Sequence, residues 1–298
     1  MASLVKKEVV SKVKKIVIDM HVHPAFLEPV CKTEYQNEFA KKMYGLYKTD
    51  QIPVDALLTL MDCSGVDKAV LLPLDLTTEY GGILGTNDQI KELTATYPDR
   101  FIGFASVDPH RPDAAEILET AFAEYHLAGL KLHPSKQKFY PGDEYMEPIY
   151  QICEKYNKPI VFHCGMSVEP DTLSKYARPV EFEETAYRHP KLRICLAHCG
   201  WPWVQETCML MLKYRNVYAD TAFLYFDTAP EFYHKVFEVD MGPHWIDRSF
   251  RHQIMFGSDD PRLEMQRMKK AIEAMDMRES TKNLIFGQNA IEFLGLEV

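Results

Sequence analysis

No stretch of this 298-residue chain approaches the run of about 20 apolar residues that spans a bilayer, so no membrane-crossing helix is expected. Positive charge is in short supply too: 34 Lys and Arg stand against 43 Asp and Glu, a formal net charge of -9. A nucleic-acid partner needs a basic face to displace counterions from phosphates, and this balance argues against one. Met1 to Lys15 alternates Lys with Val and lacks a continuous apolar stretch, so it does not read as a secretory signal. The cysteines (Cys31, Cys63, Cys153, Cys164, Cys195, Cys199 and Cys208) are odd in number and lack the short paired spacings of a disulfide scaffold or zinc ribbon. Reduced thiols in a cytoplasm are the expectation. Low-complexity tracts are missing, and the one internal echo is His163-Cys-Gly in His198-Cys-Gly.

What is present is an ordinary globular composition, 46% hydrophobic and 26% charged, enough for a full core. Short β-branched runs alternate with longer helical patterns. Eight candidate strands emerge: Ile16–Val22, Lys68–Leu74, Phe101–Val107, Gly129–His133, Pro159–His163, Arg193–His198, Val217–Thr221 and Ile254–Asp259. Amphipathic stretches such as Ala114–His126, Glu144–Tyr156, Val204–Tyr214 and Arg262–Ala274 lie between them. Such alternation implies parallel strands joined by right-handed crossovers, and eight units close an α/β barrel of the (β/α)8 TIM type. A single domain covering 1–298, with its core at 16–296, is the economical prediction. The region from Pro24 to Gln51 is too long for an ordinary connection and reads as an insertion after the first strand, a lid candidate over the barrel mouth.

Chemistry concentrates at the ends of these strands. In Ile18-Asp19-Met20-His21-Val22-His23 the strand period of two puts Asp19, His21 and His23 on one face. His163 ends the fifth strand, His198 the sixth and Asp259 the eighth. In a barrel all these ends meet at one rim, where active sites are assembled. Imidazole and carboxylate donors suit zinc, manganese or iron with a position left open for water. Asp259 is placed to move the proton of such a water, and His198 to polarise a carbonyl or stabilise an oxyanion.

The motif order Asp-x-His-x-His, Lys-x-His-Pro, Phe-His-Cys-Gly, Ala-His-Cys-Gly-Trp-Pro and Gly-Ser-Asp-Asp-Pro resembles the amidohydrolase superfamily. It is most similar to the amidohydrolase-related branch that includes aminocarboxymuconate semialdehyde decarboxylase along with lactone and amide hydrolases. The likeness runs from Ile16 to the closing Phe286-Gly-Gln-Asn-Ala-Ile-Glu-Phe-Leu-Gly segment, which resembles the family's last helix. The resemblance implies one divalent metal, zinc before manganese or iron, on His21, His23, His163 and Asp259, with His198 as the catalytic histidine. Lys131 stands where binuclear members carry a carboxylated lysine, so a bridging carbamate is the alternative to a mononuclear site. The preferred role of Lys131 and His133 is to bind a substrate carboxylate or carbonyl. Arg262 is a candidate anion clamp and Trp201 a candidate pocket wall, while Asp19 and Asp220 are read as groups that support the ligands.

The first functional reading is a metal-dependent hydrolase of an amide, lactone or similar carbonyl substrate. Decarboxylases of the branch often place Glu in the first His position, and His21 tips the reading toward hydrolysis. The alternative is nonoxidative decarboxylation of an unsaturated or aromatic acid on the same metal. A barrel that binds without turnover is the lesser alternative. The expected partner is a small molecule, and a homodimer is the assembly left open.

Overall fold

The computed structural model describes residues 15–222 and 228–297, so the amino-terminal Lys- and Val-rich segment falls almost wholly outside the described residues. Eight parallel barrel strands are present: β1 (Ile18–Val22), β2 (Lys68–Leu71), β3 (Phe101–Gly103, resumed at Ala105–Ser106), β4 (Leu130–Leu132), β5 (Ile160–Phe162), β6 (Ile194–Leu196), β7 (Val217–Asp220) and β8 (Ile254–Met255). Sequential neighbours pair from β1 through β8. The ring closes where Phe256 O accepts from Met20 N at 2.9 Å, His21 O from Asp259 N at 3.0 Å and Asp260 O from His23 N at 2.8 Å. The sequence prediction of a (β/α)8 barrel is therefore met.

Alternation along the strands sorts the core into two layers. Ile18, Met20, Val70, Leu72, Phe104, Val161, Cys195, Tyr218 and Met255 fill the barrel interior, and Ala290, Phe293 and Leu294 of the closing helix (Asn289–Leu294) pack with them. Their strand neighbours, among them Leu71, Leu130, Phe162, Leu196, Ala219 and Phe256, face outward into the layer shared with the helices. This two-sided burial is why the strands read as continuous apolar runs.

β1 breaks the alternation. Its pairing with β2 advances from Asp19↔Ala69 to Val22↔Leu71, so one extra residue is accommodated on β1. Met20 joins the barrel interior while Val22 faces the outer layer, and between them His21 is turned inward as well. Such a bulge re-aims side chains beside active sites. The even period expected for Asp19, His21 and His23 fails here: Asp19 leaves the face that the two histidines share and accepts from backbone N–H groups of His21 (3.0 Å) and Ser258 (2.9 Å).

The insertion after β1 carries a helix, Glu34–Tyr44, opened by a reciprocal Thr33–Gln36 capping box and closed by Gly45 at φ +64°. It packs on a hairpin, Leu74–Leu76 paired with Gly82–Leu84, that the sequence reading did not anticipate. Ala40, Met43, Tyr44, Leu74, Leu76 and Leu84 make a small separate core there, above the mouth of the barrel.

Candidate active site

β1 delivers His21 and His23 with their rings 4.9 Å apart, and the turn after β8 delivers Asp259. His21 Nδ1 lies 2.8 Å from Asp220 Oδ2, and His23 Nδ1 lies 3.2 Å from the Leu72 carbonyl. Both partners are acceptors, so each Nδ1 carries the hydrogen and each Nε2 presents its lone pair. Those two nitrogens converge on Asp259 Oδ1, at 3.5 Å from His21 and 3.2 Å from His23. Asp259 Oδ2 is buried without a hydrogen-bond partner. Donor atoms of all three residues lie within 4.8 Å of one another. Two neutral imidazoles, one carboxylate and an orphaned buried oxygen make a donor set that fits a divalent cation.

Electrostatics agree with neutral imidazoles. Burial holds the pKa of His21 well below the ordinary 6.5, helped by the Lys131 charge, and that of His23 below it. Against its own burial, Asp259 is kept well below the usual carboxylate range by its contact with His23 and by the other imidazoles around it. Asp220 is pushed up to about 6 by burial, yet its oxygens are committed: Oδ2 to His21, and Oδ1 to the backbone N–H groups of His198 at 2.7 Å and Ala222 at 3.2 Å. It lies within reach of His21 and His198 as a second donor group, but its geometry is that of a positioning residue.

His198 sits in a left-handed turn, with φ +60°, +49° and +64° at His198, Cys199 and Gly200. Strain of this kind costs on the order of 1–3 kcal/mol per non-glycine residue and clusters at functional sites. The turn throws the imidazole over the barrel axis, where Nδ1 donates to Ala222 O at 2.7 Å. His198 Nε2 is then the acceptor for His163 Nδ1 at 3.1 Å, which leaves His163 Nε2 to accept from Ser167 Oγ at 3.0 Å. The tautomers of this Ser167–His163–His198–Ala222 relay are thus fixed by its Ala222 carbonyl end, and the Ser167 hydroxyl adapts as donor. Burial lowers the pKa of His198 to about 4, so the relay is neutral.

In this arrangement two of the expected residues are engaged with other groups. His163, expected as a fourth ligand, is not part of the three-donor group: its ring lies flat on His133 at 3.8 Å and 7°, and its Nε2 is taken by Ser167. His198, expected to donate to a substrate oxygen, has its N–H directed at a backbone carbonyl.

Glycines make the crowding workable. A Cβ at Gly165, where φ is +94°, would lie 2.1 Å from the Trp201 carbonyl, so the two His-Cys-Gly loops can pack only as glycine allows. At Gly257 a Cβ would meet that of His21 at 3.0 Å.

The remaining expectations divide. Lys131 lines the cavity with Nζ 3.5 Å from His21 Nε2, its pKa lowered to about 8 by burial. His133 lines it too, stacked on His163. Arg262 was expected in a helix's first turn, but the helix spans Met265–Ala274 and Arg262 precedes it, bending back so that Nε lies 3.6 Å from Asp259 Oδ2. Trp201 is not among the cavity-lining residues; it packs edge-on against Phe232 at 5.4 Å and on the outer apolar layer. Asp19 supports the backbone of the donors, and burial raises its pKa to about 7.

Four cavity residues were missed: Tyr44, Leu74, Lys136 and Glu169. Tyr44 comes from the insertion helix and sets its ring 4.7 Å from His23. Lys136 follows β4 and Glu169 follows β5. Their positions just past strand ends were the available signal, since that is where βα-loops line a barrel mouth.

The comparisons with known proteins fit this geometry. The family model described as Amidohydrolase matches residues 18–296, and the chain belongs to that family. A curated relative, 2-amino-3-carboxymuconate-6-semialdehyde decarboxylase of Dictyostelium discoideum, is 24% identical over 238 residues, which cover 71% of this chain and 66% of that protein's length. Among solved structures, an uncharacterized TIM-barrel protein of Bordetella bronchiseptica superposes with TM-score 0.72 at 16% identity, covering 94% of this chain and 98% of the other. The 5-carboxyvanillate decarboxylase of Novosphingobium aromaticivorans, solved with manganese and 4-hydroxy-3-methoxy-5-nitrobenzoic acid, gives TM-score 0.64 at 19% identity, with coverage of 95% and 97%. No helix among the described residues is long and apolar enough to cross a membrane.

Proposed function

We propose that this chain is a cation-dependent, nonoxidative decarboxylase of a small unsaturated or aromatic carboxylic acid. The observation that carries the reading is the charge of the cavity. Among the residues lining the cavity, Lys131, Lys136 and Arg262 face Asp259 and Glu169, and the five imidazoles among them are neutral, so cations outnumber anions before any metal is added. A carboxylate is drawn to such a cavity, whereas an uncharged amide or lactone gains nothing from it. The curated relative and the manganese-bound structure described above are decarboxylases, which supports the same side. Hydrolysis, favoured on sequence because His21 is histidine, becomes the second reading.

His21, His23 and Asp259 would hold one divalent cation, manganese or zinc by donor type. When bound, it supplies Lewis-acid stabilisation of negative charge on a substrate oxygen. The other duties fall to the chain itself. Lys131 and Arg262 attract and orient the anion, and Asp220 holds His21 in the required tautomer. When the bond to the carboxylate breaks, carbon dioxide leaves and the electron pair stays on carbon, which must take up one proton. Asp259 Oδ2, buried without a hydrogen-bond partner and 3.6 Å from Arg262 Nε, would take that proton from solvent water and pass it to the carbon.

The test is direct. Protein reconstituted with manganese or zinc is incubated with a panel of carboxyl-13C aromatic and unsaturated acids, and released carbon dioxide plus bicarbonate is followed by NMR. Release from at least one acid, suppressed by chelator, is expected. Cleavage of lactones or amides with no release from any acid would overturn the proposal in favour of hydrolysis.

A further inference from the structure

We propose that Glu169 is an internal competitor for the cavity's anion seat: its carboxylate bridges Lys136 and Arg262 in place of a ligand's, and an acid enters by displacing it. This rests on reading the cavity as an acid-binding site. One oxygen, Glu169 Oε1, lies 3.2 Å from Lys136 Nζ and 3.1 Å from Arg262 Nη2. The two cations come from opposite sides of the mouth, one following β4 and one following β8, and the side chains of Lys136 and Glu169 are less than a tenth exposed. Two cations, Lys136 buried and Arg262 partly so, focused on a single carboxylate oxygen form a seat for an anion, and Arg262 links that seat to Asp259 within the donor group.

The room available argues that something must move. With Glu169 seated, the cavity holds about 20 Å³, space for a single water. Pockets for organic ligands run to about 300–1,000 Å³. Of the groups closing the mouth, Glu169 sits on the segment most easily displaced. Upstream, the chain is pinned by Gly165 N to Ala177 O at 2.7 Å and Met166 N to Trp201 O at 2.8 Å. Beyond these anchors Val168 and Leu173 are 39% and 53% exposed. Thr172 folds back on the Glu169 carbonyl through both its N–H and its hydroxyl, so the turn moves as a unit. Besides the Glu169 bridge, a contact of Asp171 with Tyr80 ties this turn down.

Exchange of one carboxylate for another leaves no buried cation unpaired, which keeps the swap inexpensive. A ligand lacking an anionic group has no such exchange to offer and leaves the seat closed. Glu169 is therefore a specificity-determining residue that favours acids over neutral carbonyl compounds.

The probe is isophthalate, titrated calorimetrically into the full-length, manganese-loaded protein, so the readout is binding and needs no turnover. Glu169→Gln is expected to bind isophthalate roughly tenfold tighter than wild type, because the competing closed population is removed. Lys136→Met is expected to bind at least tenfold more weakly. Hydrogen exchange of wild-type residues 167–173 is followed with and without isophthalate, which keeps the idea testable even if Glu169→Gln fails to fold; faster exchange with the acid is expected. Equal or weaker binding by a folded Glu169→Gln, or unchanged or slower exchange in wild type, overturns the proposal. Failure to find carbon dioxide release with these binding results intact would count against the decarboxylase reading alone.

Discussion

The two ends of this barrel are built from the same strands and opposite chemistry. At the amino-terminal end of the strands the interior is Ile18, Val70, Phe104, Val161, Tyr218 and Met255, sealed by Phe293 and Leu294. At the carboxy-terminal end, a few residues further along each strand, the interior is His21, Lys131, His163, His198, Asp220 and Asp259, all less than a tenth exposed. Apolar burial at roughly 25 cal/mol per Å² stabilises the first end. The second end buries charges and strained turns that cost stability, and it can do so only because the first holds the ring together. Fold and function are thus separated along the barrel axis by about one layer of side chains.

That separation can be broken or sharpened by substitution. The largest effect is expected from Asp259→Asn, which keeps the shape but removes the proposed proton carrier and cation donor. Turnover should fall by about 10²–10⁴-fold with the melting temperature little changed, as read by steady-state kinetics beside circular dichroism. Activity within a few-fold of wild type would sink its assigned role. Next comes Phe293→Ala at the sealed end. Loss of a fully buried aromatic ring should cost about 3–5 kcal/mol, lowering the melting temperature on the order of 10 °C. Per folded molecule, kcat and KM should stay within about twofold; a large change in either would show that the two ends are not independent.

The smallest effect concerns Lys131, at the carboxy-terminal end. Burial lowers its pKa from 10.5 to about 8, so the folded chain sheds a proton that the unfolded chain still holds between those values. Stability attributable to this residue should therefore rise with pH from about 8 toward 10.5, the sign expected when the unfolded state binds more protons. Urea melts of wild type and Lys131→Met across that range measure it. The wild-type advantage should grow with pH, and parallel curves would contradict the assignment. In the same window kcat/KM of wild type should decline as the ammonium that attracts the acid is lost.

Much of this was legible in the sequence because the barrel's signals are local and repeated. Each strand is an apolar run ending at a polar residue, and His21, His23, His198 and Asp259 stand where those runs end. What escaped was whatever depends on a partner strand or loop. The β1 bulge is defined by pairing with β2, so the alternation written in residues 18 to 23 could not reveal that Asp19 turns away. His163 was placed correctly at its rim, but the Ser167 hydroxyl and the flat face of His133 decide where its nitrogens point. Lys136 and Glu169 each look like ordinary loop charges, and they acquire meaning only as a pair across the mouth. Trp201 follows His198 closely in sequence, yet the left-handed turn between them sends it to the outer layer, onto Phe232.

The seam between β8 and β1 carries a consequence for assembly. His21 and His23 belong to the first stave, Asp259 follows the last, and Asp259 N–H is itself bonded to the His21 carbonyl across the seam. A nascent chain that has not yet produced its final stave, or a fragment cut short of it, owns the two imidazoles without the Asp259 carboxylate that completes their group. If those three residues hold the ion as proposed, its capture would wait for the last segment to dock, and cation content would report whether the ring has been completed.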